Sequence, residues 1–177
     1  DALDKAVTLE ARLAYLPNFI QVCQAVAYAH SRHVIHRDLK PGNIMLGPFG
    51  ETVLIDWGLA KLVGQADATD EELRSELEKM TDQESVDDFQ TRAGSRLGTP
   101  AYMSPEQSRG NVEAVGPPSD VYSLGVILYR ILTGQLPVQA ESASALLTRI
   151  ANQPAPPAQT AAPGAPPELC AICDKAL

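Results

Sequence analysis

The stretch from His36 to Asn43 constrains the fold more than any other part of the chain. It reads His-Arg-Asp-Leu-Lys-Pro-Gly-Asn and carries five ionisable or amide side chains directly after an apolar helical run. Pro41 and Gly42 do not allow a helix to continue, so the pattern predicts a loop. A carboxylate, an ammonium group and an amide on one loop suit phosphoryl transfer. That reaction needs a group to orient the attacking hydroxyl, a cation beside the phosphoryl group and oxygen ligands for Mg²⁺.

Two further motifs follow in order. The apolar run 52–55 predicts a strand that ends at Asp56-Trp57-Gly58, and a segment reading Gly-Thr-Pro-Ala-Tyr-Met-Ser-Pro-Glu spans 98–106. Together with the loop, these resemble the catalytic loop, the metal-binding triplet and the end of the activation segment of protein kinases. An ordinary charged loop after a helix is the alternative for the first motif alone. Three motifs in the right order and spacing favour the kinase interpretation.

The resemblance implies an α+β fold, namely the mainly helical large C-terminal lobe of a bacterial-type serine/threonine protein kinase with short β-hairpin strands. Residues 1–177 would be a partial kinase domain. We find no glycine-rich loop, strand lysine or partner glutamate helix in the sequence. We therefore expect the small N-terminal lobe to be missing from this chain, and the isolated fragment to bind ATP poorly and to be inactive.

The resemblance also implies roles for individual side chains, with ATP and Mg²⁺ as cofactors. Asp38 would orient the attacking hydroxyl, and Lys40 would hold the phosphoryl group. A lysine two residues after that aspartate is typical of serine/threonine kinases. The remaining site residues would be Asn43 and Asp56 as ligands of Mg²⁺, Met45 beneath the adenine and Thr99 hydrogen-bonded to the catalytic pair.

Regulatory and structural roles are implied as well. Arg37, directly before the catalytic aspartate, usually goes with control by phosphorylation of the activation segment, and Thr91 and Ser95 are the candidate acceptors. The expected structural residues are His36, Trp57 in place of the usual phenylalanine, Gly58, Glu106 as an anchor of the segment, and Asp120 as an acceptor for backbone amides of the catalytic loop. Glu106 would pair with an arginine that this chain does not contain.

The activation segment, 56–106, is long because of an acidic insertion at 65–90. The insertion holds ten acidic and two basic residues and accounts for the whole net charge of −8. A weak apolar stripe allows a short helix from about Asp70 to Met80, and disorder is the alternative. The insertion either stays solvated without a role or biases the cleft towards basic peptides and holds the segment off until it is phosphorylated.

Helical patterns fill the rest of the chain. Thr8 is the expected N-cap of a first helix, and Pro17 should break or restart it. The next helix has a predicted inward stripe of Phe19, Ile20, Cys23, Val26, Ala27 and His30, with His30 packed rather than bound to metal. A very apolar helix should begin at Ser119 and end at Gly134. Helices are also expected at 144–152 and 168–177, the latter with Leu169, Ile172 and Cys173 inward, and 154–167 should be extended or irregular.

Composition limits the partners. The negative net charge argues against nucleic acid, no apolar run is long enough to span a bilayer, and three cysteines fit a reducing compartment. The sequence shows no secretory leader, so we expect a cytoplasmic domain, although a parent protein could be anchored elsewhere. The expected partners are ATP and proteins with serine or threonine acceptors. The alternatives are a pseudokinase or scaffold module, and a small-molecule kinase of related fold.

Overall fold

The computed structural model describes residues 2–62, 70–71, 75, 77–78 and 100–177. The strands in these ranges are β1 (Val34–Ile35), β2 (Ile44–Leu46), β3 (Thr52–Leu54) and β4 (Lys61–Leu62). The α-helices are α1 (Ala2–Lys5), α2 (Leu9–Leu13), α3 (Leu16–Ser31), α4 (Pro105–Ser108), α5 (Pro117–Thr133), α6 (Ala143–Asn152), α7 (Ala158–Ala161) and α8 (Pro167–Ala176). Short 3₁₀ turns lie at Pro41–Asn43 and Pro100–Tyr102. The expected architecture, mainly helical with a few short strands, is therefore confirmed over the described part of the chain.

The short strands form two antiparallel pairs on either side of the loop at 36–43. β2 pairs with β3 through Ile44–Leu54 and Leu46–Thr52, as the hairpin pattern predicts, and Gly50 takes a left-handed φ of 86° in the turn. β1 pairs with β4, which matches Ile35 with Lys61. The loop therefore enters from one ladder and leaves into the other, and both of its ends are fixed.

Helix α5 is the centre of the core. Twelve of its seventeen residues are buried, and it packs against α2, α3 and α8. Gly134 ends it in the left-handed region at φ 76°, as predicted. The expected start at Ser119 is wrong, because the helix begins at Pro117, whose fixed φ suits a first helical turn. The Ser119 hydroxyl instead accepts a 3.1 Å hydrogen bond from the amide of Gly116.

Helix α3 restarts at Leu16 with Pro17 in its first turn, and Thr8 caps α2 by accepting from the amide of Ala11 at 3.2 Å. The predicted inward stripe is partly wrong. The buried side chains are Val22, Val26 and Ala29, whereas Ile20 and Ala27 are exposed. The helix contacts strands on one side and α5 on another, so the centre of its buried face is set by tertiary packing that periodicity alone does not reveal.

The C-terminal elements follow the expected order. Helix α6 begins one residue before its predicted start, and Cys170 and Cys173 of α8 are buried free thiols. Ile172 was expected inward but is exposed, because it lies on the side of α8 opposite those cysteines. The proline-rich stretch 154–167, expected to lack helix, contains α7. Among the described residues, no helix has the length and apolarity needed to cross a membrane.

Within the acidic insertion, the described residues agree with the short helix. Asp70, Glu71, Ser75, Leu77 and Glu78 are helical, and Leu77 is buried. The other two members of the predicted stripe, Leu73 and Met80, lie outside the described residues.

Candidate active site

Asp120, in the first turn of α5, fixes the backbone of the loop. Its side chain is 1% exposed and accepts from the amide of His36 at 2.8 Å and from the amide of Arg37 at 2.9 Å. His30 Nε2 lies 2.8 Å from the same carboxylate. Arg37 has a φ of 70°, which is costly for a residue with a side chain, and these bonds hold that conformation.

Gln107 supports the backbone of the same loop. Its Nε2 donates to the carbonyl oxygen of Arg37 at 2.8 Å, and the side chain is buried. Gln107 is positioned by a capping box. Its backbone amide donates to Ser104 Oγ at 3.4 Å, and its side-chain Oε1 accepts from the backbone amide of Ser104 at 3.0 Å. The sequence analysis missed Gln107, although the Ser-x-x-Gln pattern signals a capping box.

Asp38, Lys40 and Asn43 form one hydrogen-bonded group. Asp38 Oδ2 accepts from Lys40 Nζ at 2.9 Å and from Asn43 Nδ2 at 2.9 Å. Asn43 also donates to the carbonyl oxygen of Asp38 at 2.8 Å. Burial raises the pKa of Asp38, and Lys40 and Asn43 offset this only in part. The carboxylate is therefore oriented by two donors and is more ready to accept a proton than an ordinary aspartate.

His36 links the loop to the strand that leads to Asp56. Its Nδ1 accepts from the amide of Asp38 at 3.3 Å, and its Nε2 lies 3.2 Å from the carbonyl oxygen of Ile55. A neutral ring protonated on Nε2 satisfies both contacts. Burial lowers the pKa of His36, with a partial opposing effect from Asp120, so the neutral form is favoured at neutral pH.

Trp57 packs over this histidine, with ring centroids 4.6 Å apart. Its Nε1 donates to the carbonyl oxygen of Leu54 at 3.1 Å, a bond that phenylalanine could not make. Tryptophan at this position therefore adds a polar tether between the triplet and β3.

Asp56 lies two residues after the end of β3, is exposed and has a φ of 61°. The neighbouring Ile55 amide donates to the carbonyl oxygen of Asn43 at 2.9 Å, which brings the two expected metal ligands onto adjacent segments. A Cβ on Gly58 would lie 3.3 Å from Asp56 Oδ1, so a side chain there would crowd the carboxylate. The left-handed backbone at Asp56 is the kind of local strain that clusters at functional sites.

The available donors suit a magnesium–nucleotide site better than a metal cage. Across the described residues, no group of three or more His, Cys, Asp and Glu side chains is arranged to hold a metal ion. Mg²⁺ usually takes one or two protein oxygens and completes its shell with phosphates and water. One exposed carboxylate with one amide, Asp56 with Asn43, fits that chemistry.

The other expected residues are placed as follows. Met45 is exposed on β2, and the Glu106 carboxylate accepts a hydrogen bond from the Ser119 hydroxyl. Thr91, Ser95 and Thr99 lie outside the described residues.

The structure also pairs Arg37 with Asp70, a contact that the sequence analysis did not predict. Arg37 Nη2 contacts Asp70 Oδ1, and Lys61 Nζ lies 2.6 Å from Asp70 Oδ2. Asp70 is one of ten acids in its segment and lies 33 positions from Arg37, so no spacing in the sequence pointed to this pair.

Comparison with known proteins agrees with this geometry. A family model described as the protein kinase domain matches residues 10–168. A serine/threonine-protein kinase PknD from Protochlamydia amoebophila is 48% identical over 125 residues, which are 71% of this chain and 12% of the relative. A probable serine/threonine-protein kinase PknB from Bifidobacterium longum is 37% identical over 156 residues (88% of this chain and 19% of the relative). PknD of Chlamydia trachomatis is 39% identical over 173 residues (93% and 17%).

The chain spans less than a fifth of the length of each of these curated relatives. The family model, in contrast, covers most of the 177 residues and includes the loop, the triplet and the segment that ends at Glu106. The chain therefore belongs to the protein kinase family, among its bacterial-type serine/threonine kinases.

Proposed function

We propose that the protein containing these residues is an ATP- and Mg²⁺-dependent serine/threonine protein kinase. The observation that carries this proposal is the group around Asp38, in which one carboxylate oxygen accepts from both Lys40 and Asn43. One loop therefore holds a carboxylate that can accept the proton of a hydroxyl (Asp38), a cation (Lys40) and an amide whose oxygen could bind Mg²⁺ (Asn43). Phosphoryl transfer depends chiefly on such positioning and on electrostatic stabilisation.

In the proposed reaction, the hydroxyl oxygen of a serine or threonine forms a bond to the γ-phosphorus of ATP while the bond to ADP breaks. Asp38 orients that hydroxyl and takes its proton, to which a raised pKa is suited. Lys40 neutralises charge on the transferred group. Asn43 and Asp56 would hold Mg²⁺, which neutralises phosphate charge when it is bound. Thr99 is the proposed partner of the catalytic pair.

We further propose that residues 1–177 are the large lobe of the kinase domain, with an activation segment at 56–106 and an acidic insertion at 65–90. Met45 would form the lower face of the adenine site, and a small lobe outside these residues would supply the upper face. The greater length of the relatives supports a longer parent protein. We further propose a cytoplasmic place of action, which the three free thiols support.

The proposed substrate preference concerns the acidic insertion. Its ten acids would favour basic peptides, because a negatively charged region beside a cleft attracts cations. Deletion of residues 65–90 from the full-length enzyme should weaken the preference for basic over neutral peptides. An unchanged preference would remove this proposal.

The test of function is phosphorylation by the full-length protein, with wild type compared with Asp38→Asn. Asp174→Asn is the matched control, since it makes the same chemical change at an exposed site on α8. We expect labelling of protein by wild type and by the control but not by Asp38→Asn. No labelling by any of the three proteins would support a scaffold instead. Consumption of ATP that depends on a small alcohol or amine, without labelled protein, would support a small-molecule kinase.

A further inference from the structure

Arg37 and Lys61 form a cationic site. The contacts that hold the backbones of these two residues come from outside the acidic insertion. Lys61 lies on β4, directly paired with Ile35 on β1, and Arg37 follows two residues later. Asp120 and Gln107 hold the Arg37 backbone. The Arg37 side chain is 2% exposed, so water cannot solvate its charge and a nearby anion is needed to compensate it.

Asp70 supplies that anion. One of its carboxylate oxygens contacts Arg37 and the other contacts Lys61, and its side chain is 18% exposed. A carboxylate that uses both oxygens on two cations makes the charge-assisted arrangement that an added phosphate would otherwise make.

Leu77 provides a second anchor in the same segment. It is 7% exposed and packs in a cluster with Leu59, Met103, Val112, Ala143 and Leu147. Asp70 and Leu77 are seven residues apart, so on a helix they lie on the same face. Among the described residues of the insertion, Asp70 therefore contacts the large lobe through charge and Leu77 through apolar packing.

We propose that Asp70 is a resident ligand of the Arg37–Lys61 site and that, with Leu77, it holds this part of the acidic insertion on the large lobe without phosphorylation. A phosphate on Thr91 or Ser95 would compete with Asp70 for these two cations. The regulatory meaning of the contact rests on the proposed kinase function, whereas the contact itself does not.

The test uses the full-length protein after phosphatase treatment, with its unmodified state verified by intact mass. Hydrogen exchange is measured for peptides that cover 70–78 in wild type, Asp70→Asn and Glu71→Gln. Glu71 is the matched control because it is the adjacent, exposed acid on the same helical piece. We expect Asp70→Asn to speed exchange about ten- to a hundredfold, as loss of a charged hydrogen bond does. Glu71→Gln should change it by less than about threefold.

A conservative change makes the result specific. Lys61→Glu should release the segment as Asp70→Asn does, whereas Asp70→Glu, which keeps a carboxylate beside the two cations, should keep much of the protection. Unchanged exchange in α8 shows in each variant that the lobe remains folded. Equal exchange in Asp70→Asn and Glu71→Gln would overturn the proposal. So would protection that appears in wild type only when Thr91 or Ser95 carries phosphate.

The exchange experiment can succeed even if the protein transfers no phosphate, so failure of the two proposals can be told apart. If the full-length protein is active, unphosphorylated wild type should already work at its full rate. In Asp70→Asn that rate should depend on phosphorylation. A wild-type enzyme that is inactive until Thr91 or Ser95 is phosphorylated would contradict the proposed role of Asp70.

Discussion

The catalytic loop should lose its order when the Asp120 carboxylate is changed to an amide. In the wild type, the two carboxylate oxygens of Asp120 accept from the backbone amides of His36 and Arg37 at 2.8 and 2.9 Å. In Asp120→Asn, an NH₂ group replaces one of these oxygens, so a donor faces one of the two amides. Each hydrogen bond to a charged group contributes about 1.5–3 kcal/mol, and a buried donor left unpaired adds its own cost. We therefore expect a loss of about 3 kcal/mol in the local stability of the loop.

The assay is hydrogen exchange in the full-length protein, resolved to the amides of His36 and Arg37. A loss of about 3 kcal/mol corresponds to exchange more than about a hundredfold faster. Asp174→Asn is the control, because that exposed carboxylate accepts one 2.8 Å bond, from the amide of Ala158. Its effect should stay local to α7 and α8. If both variants left the loop amides equally protected, Asp120 would not be what holds the loop.

Three other outcomes are expected. Asp38→Asn should reduce phosphoryl transfer by about a hundredfold or more without lowering the urea midpoint. Burial raises the pKa of Asp38, so at neutral pH its ionised form does not stabilise the fold, and a clear fall in the midpoint would refute this. Burial acts to raise the pKa of Asp70, but its two cationic partners outweigh burial and lower it below 3.8. Protection of 70–78, corrected for intrinsic exchange rates, should therefore persist at neutral pH and be lost only as the pH falls through that lowered value; loss well above 3.8 would contradict the ion pair. Trp57→Phe should lower the free energy of unfolding by about 1 kcal/mol, because it removes the hydrogen bond from Trp57 Nε1 to the carbonyl oxygen of Leu54. Chemical denaturation measures this change, and an unchanged free energy would show that the bond contributes nothing.

The features that local chemistry dictates were predictable from the sequence. Pro41 and Gly42 predicted that the preceding helix does not continue, which is confirmed, although Pro41–Asn43 forms a short 3₁₀ turn within the loop. The hairpin between β2 and β3 had its turn residues, and Gly134 ended α5 in the left-handed region. Each depends on backbone preferences of one or two residues, which remain the same in any tertiary setting.

The features that depend on distant partners were not predictable in this way. Gln107 contacts a carbonyl 70 residues away, and Asp70 was one acid among ten with no spacing that linked it to Arg37. The predicted start of α5 was wrong for a local reason. Ser119 has the stronger N-cap preference, but Gly116, directly before Pro117, is the N-cap in the structure. The assignment of roles around Asp38 came from resemblance to kinases and not from periodicity or composition.

The most direct test of the central claim is transfer of labelled phosphate from ATP to matched peptides that differ only in a serine, threonine or tyrosine acceptor. The full-length wild-type protein should label the serine and threonine peptides and not the tyrosine peptide. Asp38→Asn should reduce that labelling by about a hundredfold or more, the range that a positioned base contributes. Labelling of the tyrosine peptide alone, or equal rates for wild type and Asp38→Asn, would contradict the account.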